Sequence, residues 1–305
     1  MSGRGLGLAL GSGGARGWCH IGVLRDLERQ GIQPAMVAGC SMGALVGAAW
    51  AAGRLDALED WARGLTSTRF MGMIDVRLDR GGLIRGAAIM DLLSDLGLPE
   101  RIEDLDHPFA AVATDMETGR EVWLRDGSLA DAVRASISLP ALLRPHRVGG
   151  RWLLDGGLIN PVPVSATRAL GARWILSVNP NDKGNNPLWT PSEGRMWSAL
   201  QAPDLLNGLP DPLKRLLPER EEKPRAPQPP DFFDVVSTSI DVLTEFLRKS
   251  REAADPADLA LAAQLSHMST LEFYRAGQAI DEGARITRAA EERIAAILSR
   301  TDGSS

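Results

Sequence analysis

The sequence predicts an α/β protein with a mostly parallel central sheet flanked by helices. Three observations carry this: short apolar runs alternate with stretches of helical spacing, glycine turns sit where run meets helix, and 44% apolar with 24% charged residues over 305 positions is a globular composition. Strands that alternate with helices need crossover connections, and these place helices on both faces of a parallel sheet.

The first apolar run, "LGLAL", ends in "GSGGARG". After it "WCHIGVLRDLERQG" carries Ile21, Val23, Leu24 and Leu27 at helical spacing before a stop at Gly31. That reads as strand, glycine loop, helix. "AMVAG" is a second strand, "CSMG" a tight turn, "ALVGAAWAAG" a helix and "LDALEDWARGL" another. "FAAVATDM" and "EVWLRDG" are strands around the turn "ETGR", and "SLADAVRASISLP" is a helix stopped by Pro140. "RWLLDGG" is a strand running into a glycine turn, and "ATRALGARWILSVNP" a helix followed by a buried strand.

These elements define a core over residues 5–180. Residues 181–233 crowd prolines without a period and read as a loop or flap. Residues 234–300 read as a C-terminal helical segment packing on the core, with "VVSTSIDVLTEFLRKSR" amphipathic and "LEFYRAGQAIDEGARITRAAEERIAAIL" giving one or two more helices.

Charge narrows the partners. Lys and Arg total 34 against 39 Asp and Glu, so a net charge of -5 gives no general reason to bind nucleic acid or anionic lipid. Cys19 and Cys40 cannot build a disulfide framework, and the opening "MSGRGLGLALGSGG" lacks a basic region followed by an apolar run. The expectation is a reducing, cytoplasmic home. The uncharged run from Ile32 to Gly53 is long enough to span a bilayer, yet Gly39, Gly43, Gly47 and Gly53 interrupt it and it is rich in Ala.

Three stretches carry chemistry. In "GSGGARG" closely spaced glycines let backbone N–H groups converge on one point ahead of a helix, a nest for an anion. A dinucleotide fingerprint is the rival. Aligned on Gly11 and Gly13, however, its third glycine falls on Arg16, and the next strand ends in "AGCSMG" rather than an acidic ribose ligand.

The second stretch is Gly39-Cys40-Ser41-Met42-Gly43, a G-x-S-x-G between a strand and a helix. Small neighbours let the chain bend sharply and leave the Ser41 hydroxyl at a helix N-terminus, where developing negative charge is favoured. Cys40 is the alternative nucleophile, although an elbow points its central residue outward. Cys19 reads as a small core residue.

The third stretch concerns the base. His20, His107, His146 and His267 are the histidines, and only His267 lies late enough for the usual elbow order, in an ordinary mixed segment. Asp155 ends an apolar strand at a glycine turn, a position where a carboxylate can sit at the sheet edge; read alone, however, it is a plain turn aspartate.

Together the stretches resemble the patatin-like phospholipase family. The resemblance rests on "GSGGARGWCHIGVL", "VAGCSMGALVGAAWAAG" and "LLDGGLINPVPV", supported by "ATDMETG", "RASISLP" and "LSHMSTLEFYRAGQAI", which look like its bacterial, RssA-type branch. It implies a patatin-like three-layer fold and a Ser-Asp dyad, with Ser41 as nucleophile, Asp155 as base and His267 a bystander. Backbone N–H groups around Gly13, Gly14, Ala15 and Arg16 form the implied oxyanion hole. No cofactor or metal is called for. Ser12 departs from the family's pattern, standing where a third consecutive glycine is common.

A dyad without histidine requires Asp155 to be partly desolvated, because a carboxylate near its ordinary pKa of about 3.9 is a weak base towards an alcohol. Arg16 reads either as a cation biasing the pocket towards anions or as a surface salt-bridge partner. The resemblance implies hydrolysis of lipid acyl esters, whether phospholipids, lysophospholipids or simpler esters. Trp189, Trp197, Phe232 and Phe233, in and beside the proline-rich stretch, are candidates for peripheral membrane contact. The alternative is a non-catalytic regulatory or binding protein that keeps the fold.

Overall fold

The structure is a computed structural model that describes residues 5–73, 86–140, 142–182, 184 and 232–299. Its centre is an eight-stranded sheet. The strands are β1 (Leu6–Leu10), β2 (Met36–Cys40), β3 (Phe109–Asp115), β4 (Glu121–Leu124), β5 (His146–Val148), β6 (Arg151–Asp155), β7 (Trp174–Asn179) and β8 (Leu259–Ala262). They run in the order β5-β6-β3-β2-β1-β7-β8, with β4 also on β3. The contiguous block β3-β2-β1-β7-β8 is parallel throughout, and β4, β5 and β6 are antiparallel additions.

Ten helices are described: α1 (Cys19–Arg29), α2 (Met42–Ala51), α3 (Leu55–Arg63), α4 (Ser67–Met73), α5 (Gly86–Asp95), α6 (Leu129–Ser136), α7 (Val164–Ala169), α8 (Phe232–Ala254), α9 (Ala276–Ala289) and α10 (Glu291–Ser299). Side chains alternate between the sheet's two faces, as strand geometry requires. Leu8, Leu10, Val37, Leu176 and Val178 join the large core with α1, α2, α3 and α9. Ala9 and Ile175, with Ala38, Cys40, Ala110 and Val112, face the opposite way, under α7. This is the expected three-layer arrangement.

The uncharged run from Ile32 is thereby resolved into β2, a turn and α2. Burial on both faces of the sheet, rather than a bilayer, accounts for its lack of charge. Among the described residues no helix is long and apolar enough to cross a membrane. Helices α1 and α9 approach so closely that a Cβ at Gly22 would stand 1.8 Å from the Ile280 carbonyl, and one at Gly283 1.9 Å from that of Cys19.

The structure departs from the sequence reading in several elements. The helix over "SLADAVRASISLP" ends at Ser136 rather than running to Pro140. Strand β5 and helices α4 and α5 were not anticipated. Beyond residue 234 only helices were expected, yet β8 joins the sheet through parallel pairing with β7. "LALA" has weak intrinsic strand preference, and its strand character comes from that pairing. Trp189 and Trp197 lie outside the described residues, as does most of the proline-rich stretch; Phe232 and Phe233 begin α8.

Candidate active site

Ser41 sits between the last residue of β2 and the first of α2, with φ 55° and ψ -121°. It is the non-glycine residue with positive φ among those described. Such a backbone is strained, and the packing around it holds it in place. A Cβ at Gly39 would meet the Gly43 carbonyl oxygen at 2.3 Å, and one at Gly43 the Leu10 carbonyl oxygen at 2.1 Å. Both glycines of the G-x-S-x-G are therefore demanded by close backbone approach.

Asp155 reaches the same place from the other direction. In the β-ladders Cys40 pairs with Val112, and Asp155 pairs with Ala113, the next residue of β3. The Ser41 hydroxyl donates a hydrogen bond of 2.7 Å to Asp155 Oδ2. Asp155 Oδ1 accepts the Gly157 N–H at 2.7 Å. The backbone of Asp155 is held as well: its N–H donates to the Ser138 carbonyl at 3.0 Å, and its carbonyl accepts the Thr114 hydroxyl at 2.8 Å.

Asp155 is 2% exposed. Burial pushes its carboxyl up to about 6, while the hydrogen bonds from Ser41 and Gly157 favour the anion and oppose the rise. The carboxylate is then ionised at neutral pH yet more basic than an exposed aspartate. Cys40 is also buried, and burial, followed by the nearby charges of Asp155 and Glu121, pushes its thiol well above the usual range. A thiol kept protonated is a poor nucleophile. Cys19 is buried and shifted the same way.

The glycine loop follows β1 and passes into a 3-10 turn, Gly14–Trp18, ahead of α1. The Ala15 N–H donates to the Thr270 carbonyl at 2.8 Å, and the Arg16 N–H to the Gly13 carbonyl at 3.1 Å. Of the four residues read as oxyanion donors, Ala15 and Arg16 thus have their amides engaged within the protein. The amides of Gly13 and Gly14 have no acceptor among the described residues. Gly17 lies against Met42, since a Cβ there would stand 2.4 Å from Met42 Cβ, so the loop packs directly beside the Ser41 elbow. The first turn of α2 adds N–H groups without intrahelical acceptors.

Arg16 is held inside the protein rather than at the surface. Its guanidinium is buried and donates through Nε to the Met268 carbonyl at 2.7 Å and through Nη1 to Asn181 Oδ1 at 3.0 Å. Asn181 in turn donates to the Ser12 carbonyl at 2.9 Å. Ser12 spends its own N–H on the Pro161 carbonyl at 2.8 Å, and its hydroxyl lies beside Gly157. The loop is therefore clamped by Met268 and Thr270 from the C-terminal segment. Sequence reasoning missed Asn181, which stood at the start of a stretch read as a loop, and these two carbonyls, because backbone acceptors leave no residue-type signal.

The histidines are occupied elsewhere. His267 is exposed. His107 stacks on Trp50, and His146 pairs with Asp131 at 2.7 Å. His20 is fully buried, with Nε2 2.7 Å from the Gly11 carbonyl, and burial lowers its pKa to about 4, which keeps it neutral. A cavity of about 360 Å³ opens between β7, β8 and α8, walled by Asn160, Ser177, Asn179, Arg248 and Arg251; Ser41 and Asp155 do not line it.

A serine at a strand-turn-helix elbow, bonded to a carboxylate at the end of a neighbouring strand beside a glycine loop, places this chain with the α/β hydrolytic folds. The family model described as patatin-like phospholipase matches residues 8–168. An uncharacterized NTE family protein of Mycobacterium tuberculosis is 34% identical over 94% of this chain and 91% of its own length. Human patatin-like phospholipase domain-containing protein 6 is 32% identical over 62% of this chain and 14% of its own. For the neuropathy target esterase sws of Drosophila melanogaster the figures are 30%, 71% and 16%. The chain belongs to the patatin-like phospholipase family, and that membership supports lipid hydrolase activity. The matches establish the family and do not single out the RssA-type branch.

Proposed function

We propose that the protein is a serine esterase that hydrolyses acyl ester bonds of lipids through a Ser41-Asp155 dyad. The observation that carries this is the 2.7 Å hydrogen bond from the Ser41 hydroxyl to a buried carboxylate. Asp155 takes the Ser41 proton as Oγ attacks the ester carbonyl, and returns it to the departing alcohol. The tetrahedral oxyanion is held by the Gly13 and Gly14 N–H groups, each such donor being worth about 3 kcal/mol. Water then attacks the acyl-enzyme with Asp155 again as base. The substrate class is phospholipid, lysophospholipid or simpler acyl ester.

Peripheral contact with a lipid surface belongs to the same proposal. Its support is α8, where Val242, Leu243 and Phe246 are 44%, 68% and 74% exposed. The decisive experiment is hydrolysis of a short p-nitrophenyl acyl ester together with labelling by a fluorophosphonate probe. Wild type is expected to show both, and folded Ser41→Ala neither. An inert wild type would leave the non-catalytic reading in possession, and full activity in Ser41→Ala would end the Ser41 mechanism.

A further inference from the structure

Several helix hydroxyls among the described residues turn back on their own helix. Thr167, Thr244, Ser239 and Ser250 each donate to the carbonyl four residues earlier, as does Ser138 to that of Arg134. Ser136, the last residue of α6, does otherwise. Its Oγ accepts the Ser41 N–H at 3.0 Å and donates to the Val112 carbonyl at 2.6 Å. The side chain is fully buried, and its one proton and one of its lone pairs are both used.

Cys40 and Val112 form the last β2-β3 pair, and immediately beyond it the chain turns out of the sheet at the positive φ of Ser41. The Ser136 hydroxyl stands between the two backbone groups at that parting point and links them. Two residues later the Ser138 carbonyl takes the Asp155 N–H at 3.0 Å. The end of α6 is thus hydrogen-bonded to the backbone of both dyad members.

We infer that Ser136 is a positioning residue that sets the aim of the Ser41 hydroxyl by holding its amide, so that rotation of the strained elbow does not carry Oγ away from Asp155. Ser136 touches no reacting atom and acts through the Ser41 backbone. The inference rests on the hydrolase reading proposed above. Small displacements of a reacting group cost about 100-fold in rate, so loss of this anchor is expected in kcat rather than in KM.

The test uses Ser136→Ala and Ser136→Cys in the full chain, with a soluble p-nitrophenyl ester and a fluorophosphonate probe. For Ser136→Ala the labelling rate constant and kcat are expected to fall together by about 10- to 100-fold, with KM within about twofold and the labelled fraction unchanged. Ser136→Cys, close in size with a weaker donor and acceptor, is expected to fall between Ser136→Ala and wild type. A purely structural role gives a different pattern, a smaller labelled fraction reacting at the wild-type rate. That pattern, or a wild-type rate constant in Ser136→Ala, overturns the inference. If Ser136→Ala does not fold, the rate constant of folded Ser136→Cys decides, and a wild-type value again overturns it. Wild type inert towards both ester and probe would instead overturn the hydrolase reading.

Discussion

Cys40 and Asp155 pair with consecutive residues of β3, although they come from strands that run in opposite directions along it. A parallel strand and an antiparallel one thereby end at the same point of the sheet. Ser41 follows the first and Asp155 closes the second.

The raised pKa of Asp155 has a signed consequence for stability. Protonated, the group is at ease in its buried site; ionised, it is disfavoured there relative to the unfolded chain. The cost is absent below the ordinary value of 3.8 and develops as pH rises through about 6. At one pKa unit per 1.36 kcal/mol it reaches about 3 kcal/mol above pH ~7. Asp155→Asn, which keeps an acceptor for the Gly157 N–H, is expected to be more stable than wild type at pH 8 and equal to it near pH 4, by denaturant unfolding. Wild-type kcat is expected to rise with pH through about 6 and then level, with Asp155→Asn inactive throughout.

The elbow glycines leave no room for a methyl group. Gly43→Ala sets a Cβ 2.1 Å from the Leu10 carbonyl oxygen, a backbone atom that cannot swing aside. A loss of about 3 kcal/mol is expected in urea unfolding, with activity removed in the folded fraction. Unchanged stability would mean that β1 and α2 separate more easily than their packing implies.

Arg16 and His267 are expected to behave oppositely. Arg16→Ala removes hydrogen bonds to Met268 and Asn181 and leaves a buried carbonyl without its donor. A stability loss of about 1 to 3 kcal/mol and a lower kcat follow. His267→Ala, at an exposed position, is expected to stay within about 0.5 kcal/mol of wild type and to keep full kcat. Loss of activity in the histidine variant would revive a triad.

The exposed apolar side chains of α8 separate two kinds of substrate. Leu243→Glu combined with Phe246→Glu is expected to lower hydrolysis of phosphatidylcholine vesicles about 10-fold or more, since two large apolar groups leave the interface. Hydrolysis of a short soluble ester should be unchanged. Equal loss on both substrates would show that α8 acts on the site rather than on the interface.

Much of the α/β core was legible because its information is local. A run of apolar residues, a glycine turn and a helical period each fit within about fifteen residues, as in "LGLALGSGGARGWCHIGVL". Ser41 stands in a short motif of its own, whereas Asp155 read alone was a plain turn aspartate and became a candidate base only through the family resemblance. What escaped was relational. "LALA" becomes β8 only beside β7, and "HRV" becomes β5 only beside β6. The engagement of the Ala15 amide depends on a carbonyl at Thr270, whose side-chain identity plays no part in that bond.

The clamp on the glycine loop also orders events during synthesis. Arg16 is synthesised 252 residues before its partner carbonyl at Met268. A nascent chain extending through β7 already contains Ser41, Asp155 and the loop, but it lacks both β8 and the carbonyls that take up the loop's donors. The loop is fastened only after Thr270 has emerged, so the half-made chain carries the Ser41 elbow with the loop still untied.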